Sequence, residues 1–282
     1  MKNWFIGAAA TLGILLTSLT ASAQVLYGTT GAGGTPSTLV EVNPADGSLV
    51  RTIGPVGYSV NGLTFDTSTQ TLYASTGQND ASCPRGLLTI NITTGAGTTV
   101  GCGPTSGEGP ALLTSNSSGE LYSWLESRSD DLIRWNKSTG TYSASIGDSG
   151  LSTGSHTLAF DTSDILYLLN GGSLYTISTS SGAATLVRSG MPDGHHGAFQ
   201  PTSNRLYVIN GTSDPRTIRV LDVSTGAQDN EFAAPNGLHT LAFARSAVPP
   251  TSVAPVPTLS QWAVVLLGLL LGTTLLLRRR RS

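Results

Sequence analysis

Histidine is the residue type in this sequence best suited to chemistry. His156, His195 and His239 each lie four residues before a phenylalanine (Phe160, Phe199 and Phe243), and His196 adjoins His195. Asn61 holds the same place before Phe65, and Gly109 matches it more loosely in the intervening stretch. Neutral imidazole ligates transition metals and acts as acid or base near neutral pH. Three that converge would form a metal centre or a proton-transfer site. The plainer explanation is that a repeat copies its residues along with its fold, and a histidine opening a strand simply hydrogen-bonds a neighbour. The sequence therefore requires no cofactor, and a divalent metal on His156, His195 and His239 is the alternative.

Other candidates are weaker. Asp66, Asp161 and Asp164 sit in FDTST and FDTSD, where aspartate caps turns. Asp161 and Asp164 alone fall short of the six to eight oxygens that calcium takes. Asp130 and Asp131 read as solvated loop residues. GLSTG at 150–154 matches the serine-hydrolase string, but that motif needs a strand-to-helix elbow, and here a loop leads into a strand. Trp124 and Trp135 flank ESRSDD and would either bind sugar or peptide on a rim or pack inside. No phosphate loop, dinucleotide fingerprint or C-x-x-C pair is present.

The elements that must position these residues recur along the chain. Leu-Tyr occurs at 26–27, 72–73, 121–122, 166–167 and 206–207, at intervals of 46, 49, 45 and 40 residues. A turn follows each pair and ends in glycine 16 to 23 residues after the leucine: NPADG, NITTG, NKSTG, STSSG and DVSTG. A third element precedes the next Leu-Tyr: GLTFD, PALLT, HTLAFD, HHGAFQ and HTLAFA. Within one unit HTLAFD, ILYLLN, SLYTIST and ATLVRSG read as four short strands separated by Asp, Asn, Ser and Gly. Four strands in 40–50 residues is the period of a propeller blade. The first copy opens on its second strand and the chain's last strand, LHTLAFA (238–244), is unpaired in sequence. The expected fold is thus all-β: a five-bladed propeller over 24–247, with its ring closed by that last strand.

Composition fits. Charged residues are only 11% of 282, and glycine numbers 34. Setting aside Lys2 and the four terminal arginines leaves 10 basic against 17 acidic residues, a body near −7 that excludes nucleic acid as partner. Residues 1–23 read as a secretory leader: Lys2, an apolar run from Trp4 to Leu16, then Ala21-Ser22-Ala23 before Gln24. Export makes a disulfide the default for Cys83 and Cys102, the chain's two cysteines. In a four-stranded antiparallel blade the loop after the second strand and the end of the fourth lie on one side, which suits this bridge.

The repeat resembles secreted bacterial propellers of the NHL-like or YncE-like kind, with their G-L-A-F-D, L-Y and T-G rhythm over residues 25 to 245. That resemblance implies the fold only, because such propellers include lyases, lactonases and interaction scaffolds.

The C-terminus carries a different signal. Residues 248–257 are a proline-rich spacer. From Ala263 to Leu277 run fifteen uncharged, mostly aliphatic residues, ending in Arg278, Arg279, Arg280 and Arg281. Fifteen is short against the ~20 residues of a bilayer-crossing helix, so Trp262 at the interface and snorkelling arginines complete the span. The string Val256-Pro257-Thr258-Leu259-Ser260-Gln261-Trp262-Ala263 resembles the IPTL-CTERM sorting signal of Gram-negative bacteria, with Val256 in place of isoleucine. The resemblance, over 256–281, implies an exosortase-type membrane transpeptidase as partner and cleavage near the motif. A permanent tail anchor is the alternative.

These features together predict an exported propeller, held at the inner membrane with a periplasmic ectodomain and then delivered to the surface. Its expected role is binding an unidentified protein or glycan, without catalysis. The competing expectation is an exported lyase or hydrolase with His156, His195 and His239 at the channel mouth.

Overall fold

The computed structural model describes residues 24–245 apart from 32, 105, 108, 127–130 and 153–155. The leader (1–23), the spacer (248–257), the sorting motif, the apolar helix (263–277) and Arg278 to Arg281 lie outside the described residues. Among the described residues no helix is long and apolar enough to cross a membrane.

The strands are β1 (Gln24–Thr30), β2 (Thr38–Val42), β3 (Leu49–Pro55), β4 (Val60–Asp66), β5 (Thr71–Thr76), β6 (Leu87–Ile90), β7 (Gly97–Gly101), β8 (Gly109–Ser115), β9 (Leu121–Glu126) and β10 (Asp131–Asn136). They continue with β11 (Thr141–Tyr142), β12 (His156–Phe160), β13 (Leu166–Asn170), β14 (Ser173–Ile177), β15 (Ala184–Ser189), β16 (His195–Phe199), β17 (Leu206–Asn210), β18 (Thr217–Leu221), β19 (Gln228–Ala233) and β20 (Leu238–Arg245). They form five four-stranded antiparallel sheets, the blades of a propeller. The first blade has the order β20-β1-β2-β3, so the last strand closes the ring as its pattern predicts. Closure pairs Leu26 with Phe243 and Gln24 with Arg245, and buries an edge that would otherwise recruit other strands.

The repeated residues are the seams between blades. The Leu-Tyr leucines Leu26, Leu72, Leu121, Leu166 and Leu206 are all buried. The tyrosine of one blade packs on the phenylalanine ending the next blade's first strand. Ring centroids are 5.5 Å apart for Tyr122–Phe160, 5.5 Å for Tyr167–Phe199 and 5.0 Å for Tyr207–Phe243. The third blade breaks this rule. Ser115 pairs with Leu121 as Phe65 pairs with Leu72, so its first strand runs to Ser115 rather than ending with PALLT, and Gly109 is not the counterpart of Asn61. There the seam is polar: Lys137 reaches the buried Asp66 carboxylate at 2.7 Å and lies over the Tyr73 ring.

A second seam uses the turn glycines. In NPADG, NITTG, NKSTG, STSSG and DVSTG the glycine has φ of +67° to +82° and donates to the carbonyl of the turn's first residue, a geometry that favours glycine because it has no Cβ. The turn lies against the outer strand or loop of the preceding blade: a Cβ on Gly140 would come 2.2 Å from the Gly101 nitrogen, and one on Gly182 2.3 Å from the Gly147 oxygen.

The cysteines are bridged, Cys83 in the loop after β5 and Cys102 just past β7, with Cα atoms 5.0 Å apart. Two readings resolve in favour of structure. Trp124 and Trp135 are buried, and Trp135 Nε1 donates to Ser123 Oγ at 2.7 Å, so they are packing residues rather than a rim. Asp131 is not a solvated loop residue: it opens β10 and is buried. Asp130 lies outside the described residues.

Candidate functional site

The first strands β4, β8, β12, β16 and β20 pack against one another in a ring around the axis, with their beginnings at one end and Phe65, Ser115, Phe160, Phe199 and Phe243 toward the other. At the beginning end β12 is in regular register and His156, paired with Asn170, is buried. The other strands that bear polar groups there are bulged. Pairing skips Asn61 in β4, His239 in β20 and His196 in β16. A bulge re-aims one side chain out of the alternating pattern, and at His196 it comes with a left-handed φ of +42°.

The bulges join the three residues. The His239 and Asn61 side chains are linked through Nε2 and Oδ1 at 3.2 Å. The His196 and His239 rings are 4.3 Å apart at their centroids, tilted 55°. His156 and His195 are close enough to affect His196 electrostatically. Burial pushes the His196 imidazole well below its usual value, and His239, His156, His195 and Arg216 push in the same direction. Arg216 donates to the carbonyls of Leu238 and Thr212, which fixes the start of β20 beside His239. Of the three expected histidines, His239 is thus in a ring contact, but its partner is His196. The signal for His196 was the doublet followed by glycine, His195-His196-Gly197, which permits a bulge.

This cluster offers imidazoles as hydrogen-bonding groups, and burial among the other histidines and Arg216 keeps that of His196 from taking up a proton. Among the described residues no group of three His, Cys, Asp or Glu side chains has the arrangement to hold a metal ion. Beside Asn61 a cavity of about 150 Å³ is lined by Gln78, Asn79, Gly33, Gly34 and Pro110. Inward from His196 the axis is plugged: Leu63, Leu112, Leu113, Leu158 and Leu241 surround a space of about 10 Å³, at the lower limit for one water. Beyond the plug, the phenylalanine end holds a cavity of about 180 Å³.

The aspartates serve turns. Asp66 accepts from Ser68, Thr69 and Lys137. Burial alone would raise its carboxyl, but the bonds from Lys137, Ser68 and Thr69 outweigh that and hold it at about 2. Asp161 accepts from the Ser163 and Ile165 amides, and Asp164 binds Ser117 in the neighbouring blade. GLSTG, of which 153 and 154 lie outside the described residues, precedes β12, a strand, where the hydrolase elbow requires a helix.

Fold and axis together define a closed five-bladed propeller with a histidine-rich mouth at one end and a cavity of mixed apolar and polar lining at the other. Residues 254–281 match the IPTL-CTERM motif, so this propeller carries a surface-sorting signal, and that signal implies processing by an exosortase-like enzyme. No curated protein matches the chain. Among solved structures it is similar to a chain of the nidogen/laminin complex, at 13% identity over 79% of this chain and 98% of that one, with a TM-score of 0.51. TolB from Acinetobacter baumannii is 12% identical over 76% of this chain and 56% of its own, with a TM-score of 0.49. At such identities the likeness concerns the fold alone.

Proposed function

We propose that this is an exported, surface-sorted binding module, with no catalytic step, whose histidine mouth faces away from the envelope. One observation carries the orientation. Gln24 and Arg245 are paired partners at the phenylalanine end of β1 and β20. Both the leader junction and the tether therefore leave from that end, and the mouth holding Asn61, His196 and His239 is the opposite face. The proposal includes removal of 1–23 by signal peptidase, a transient inner-membrane stage with helix 263–277 spanning and Arg278 to Arg281 cytoplasmic, and a protein or glycan as partner. Pro257, Thr258, Leu259, Ser260 and Trp262, with Val256, are the residues an exosortase-type enzyme would read. Mass spectrometry of the mature C-terminus from surface-located protein tests the sorting step. A terminus upstream of the arginines is the expected result, and an intact RRRRS end would leave only the permanent anchor.

The clustering of imidazoles favours a second reading, an exported enzyme acting through His156, His195 and His239. Metal analysis of the full chain, alone and with those histidines replaced, discriminates the two: histidine-dependent metal would overturn the purely binding role.

A further inference from the structure

We infer that the cavity at the phenylalanine end of the axis is a binding site for a small monocyclic organic cation, of the size of an arylalkyl primary amine. The inference goes beyond the binding role proposed above, because this cavity is separated from the histidine mouth by the leucine plug and has its own entrance.

Size comes first. The cavity holds about 180 Å³, and an apolar space of about 150 Å³ accommodates one benzene ring. A ring with a short side chain fills it. The space exists because the first strands turn small residues toward the axis: Ala159, Ala198 and Gly197 line it where a larger side chain would close it. Ala198 and Gly197 are half-buried although they lie in the middle of the molecule.

The walls have two characters. Phe65, Phe160, Phe199 and Phe243 form the apolar part. In the third blade Ser115 stands where the others have phenylalanine, and its hydroxyl is 3.0 Å from that of Thr64. One side of the ring is therefore polar, which orients a ligand that has one polar end.

Charge selects the polar end. Asp161 and Asp164 stand in the loop beside the cavity, and among the described residues no Lys, Arg or His lines it. Two carboxylates without a lining cation attract an ammonium and repel an anion, and the attraction acts close to a low-dielectric wall. Asp164 is set in place by Ser117 of the adjoining blade, through its backbone amide at 2.7 Å and its hydroxyl.

The test is calorimetric titration of the full-length protein with 2-phenylethylamine, 2-phenylethanol and phenylacetate. The amine is expected to bind at least about tenfold more tightly than the alcohol, with phenylacetate weakest. The Ala198→Leu variant, which fills the space, should lose all binding. An Asp161→Asn/Asp164→Asn variant should bind amine and alcohol alike, and it tests the charge argument should Ala198→Leu not fold. Asparagine retains the turn capping and tolerates the positive φ of 61° at position 164. No amine binding by the wild-type protein, equal binding of amine and carboxylate, or unchanged amine binding in a folded variant would overturn the inference.

Discussion

The ring of His196 lies 4.3 Å from that of His239, each carried on a bulge of a different blade's first strand. Burial disfavours a charged His196 imidazole, and repulsion from His239 so close by adds to that cost. The His196 site is therefore depressed in the fold and near its ordinary value when unfolded. The unfolded chain takes up a proton below about pH 6.5 that the folded chain refuses, so this contribution is complete above that pH and is lost as pH falls below it. The melting temperature should drop between pH 7.5 and 5, with a slope of at most about 1.4 kcal/mol per pH unit, the limit for one proton. A His196→Asn variant should flatten that limb. An unchanged slope would show that the mouth is not the acid-sensitive element.

A second acid limb belongs to the seam between the second and third blades. Asp66 is held at about 2 and its side chain is shielded from solvent, while Lys137 is 30% exposed. A depressed carboxyl stabilises the fold above its unfolded value near 4 and loses that contribution as pH falls toward 2. Replacing Lys137 by methionine leaves the buried carboxylate without its cation and is expected to cost about 1–3 kcal/mol at neutral pH. The acid limb should move to higher pH. The Asp66→Asn/Lys137→Met double variant should recover part of the loss, as read in a double-mutant cycle by urea unfolding.

Much of this fold was legible because its period was. Leu-Tyr recurs because the leucine fills each blade's core and the tyrosine meets the next blade's phenylalanine. The lone strand at 238–244 announced ring closure, and blade geometry placed Cys83 near Cys102. The candidate site was less legible. A bulge inserts a single residue, and nothing in a two-residue alternation marks His196 rather than His195 as the one turned toward His239. Ser115 hid the third blade's register, because the pattern was keyed to phenylalanine. The leucine plug and the cavity beyond it were illegible for a different reason: they depend on how five strands meet at the axis, which no single repeat encodes.

The turn glycines offer an internally controlled test of the seam. Gly140 has φ +67° and almost touches Gly101 of the preceding blade, whereas Gly57 has φ +85° and open space where a Cβ would go. Gly57→Ala should therefore show backbone strain alone, about 1–2 kcal/mol. Gly140→Ala adds a clash with backbone that cannot swing aside, for a total of about 2–4 kcal/mol. Thermal unfolding should rank the two in that order, and equal shifts would mean that the blades separate there without cost.

The disulfide closes a loop around the third and fourth strands of the second blade, with Cys83 and Cys102 separated by 19 positions. Loop-closure entropy for that length is worth about 3 kcal/mol in the unfolded chain. The loop also has native support that does not depend on sulfur: Asp80 accepts from the Ser59, Ser82 and Cys83 amides, and Arg85 donates to Pro104 and Gly107. With those bonds in place, the bridge acts mainly by restricting the unfolded state. A Cys83→Ala/Cys102→Ala variant should fold to the same propeller, with unchanged far-ultraviolet dichroism, and lose about 3 kcal/mol on unfolding. Reductant should lower the melting temperature of the wild-type protein and leave that of the variant where it was. A variant that fails to assemble the second blade would show instead that the bridge is needed to position the loop beside Asn61.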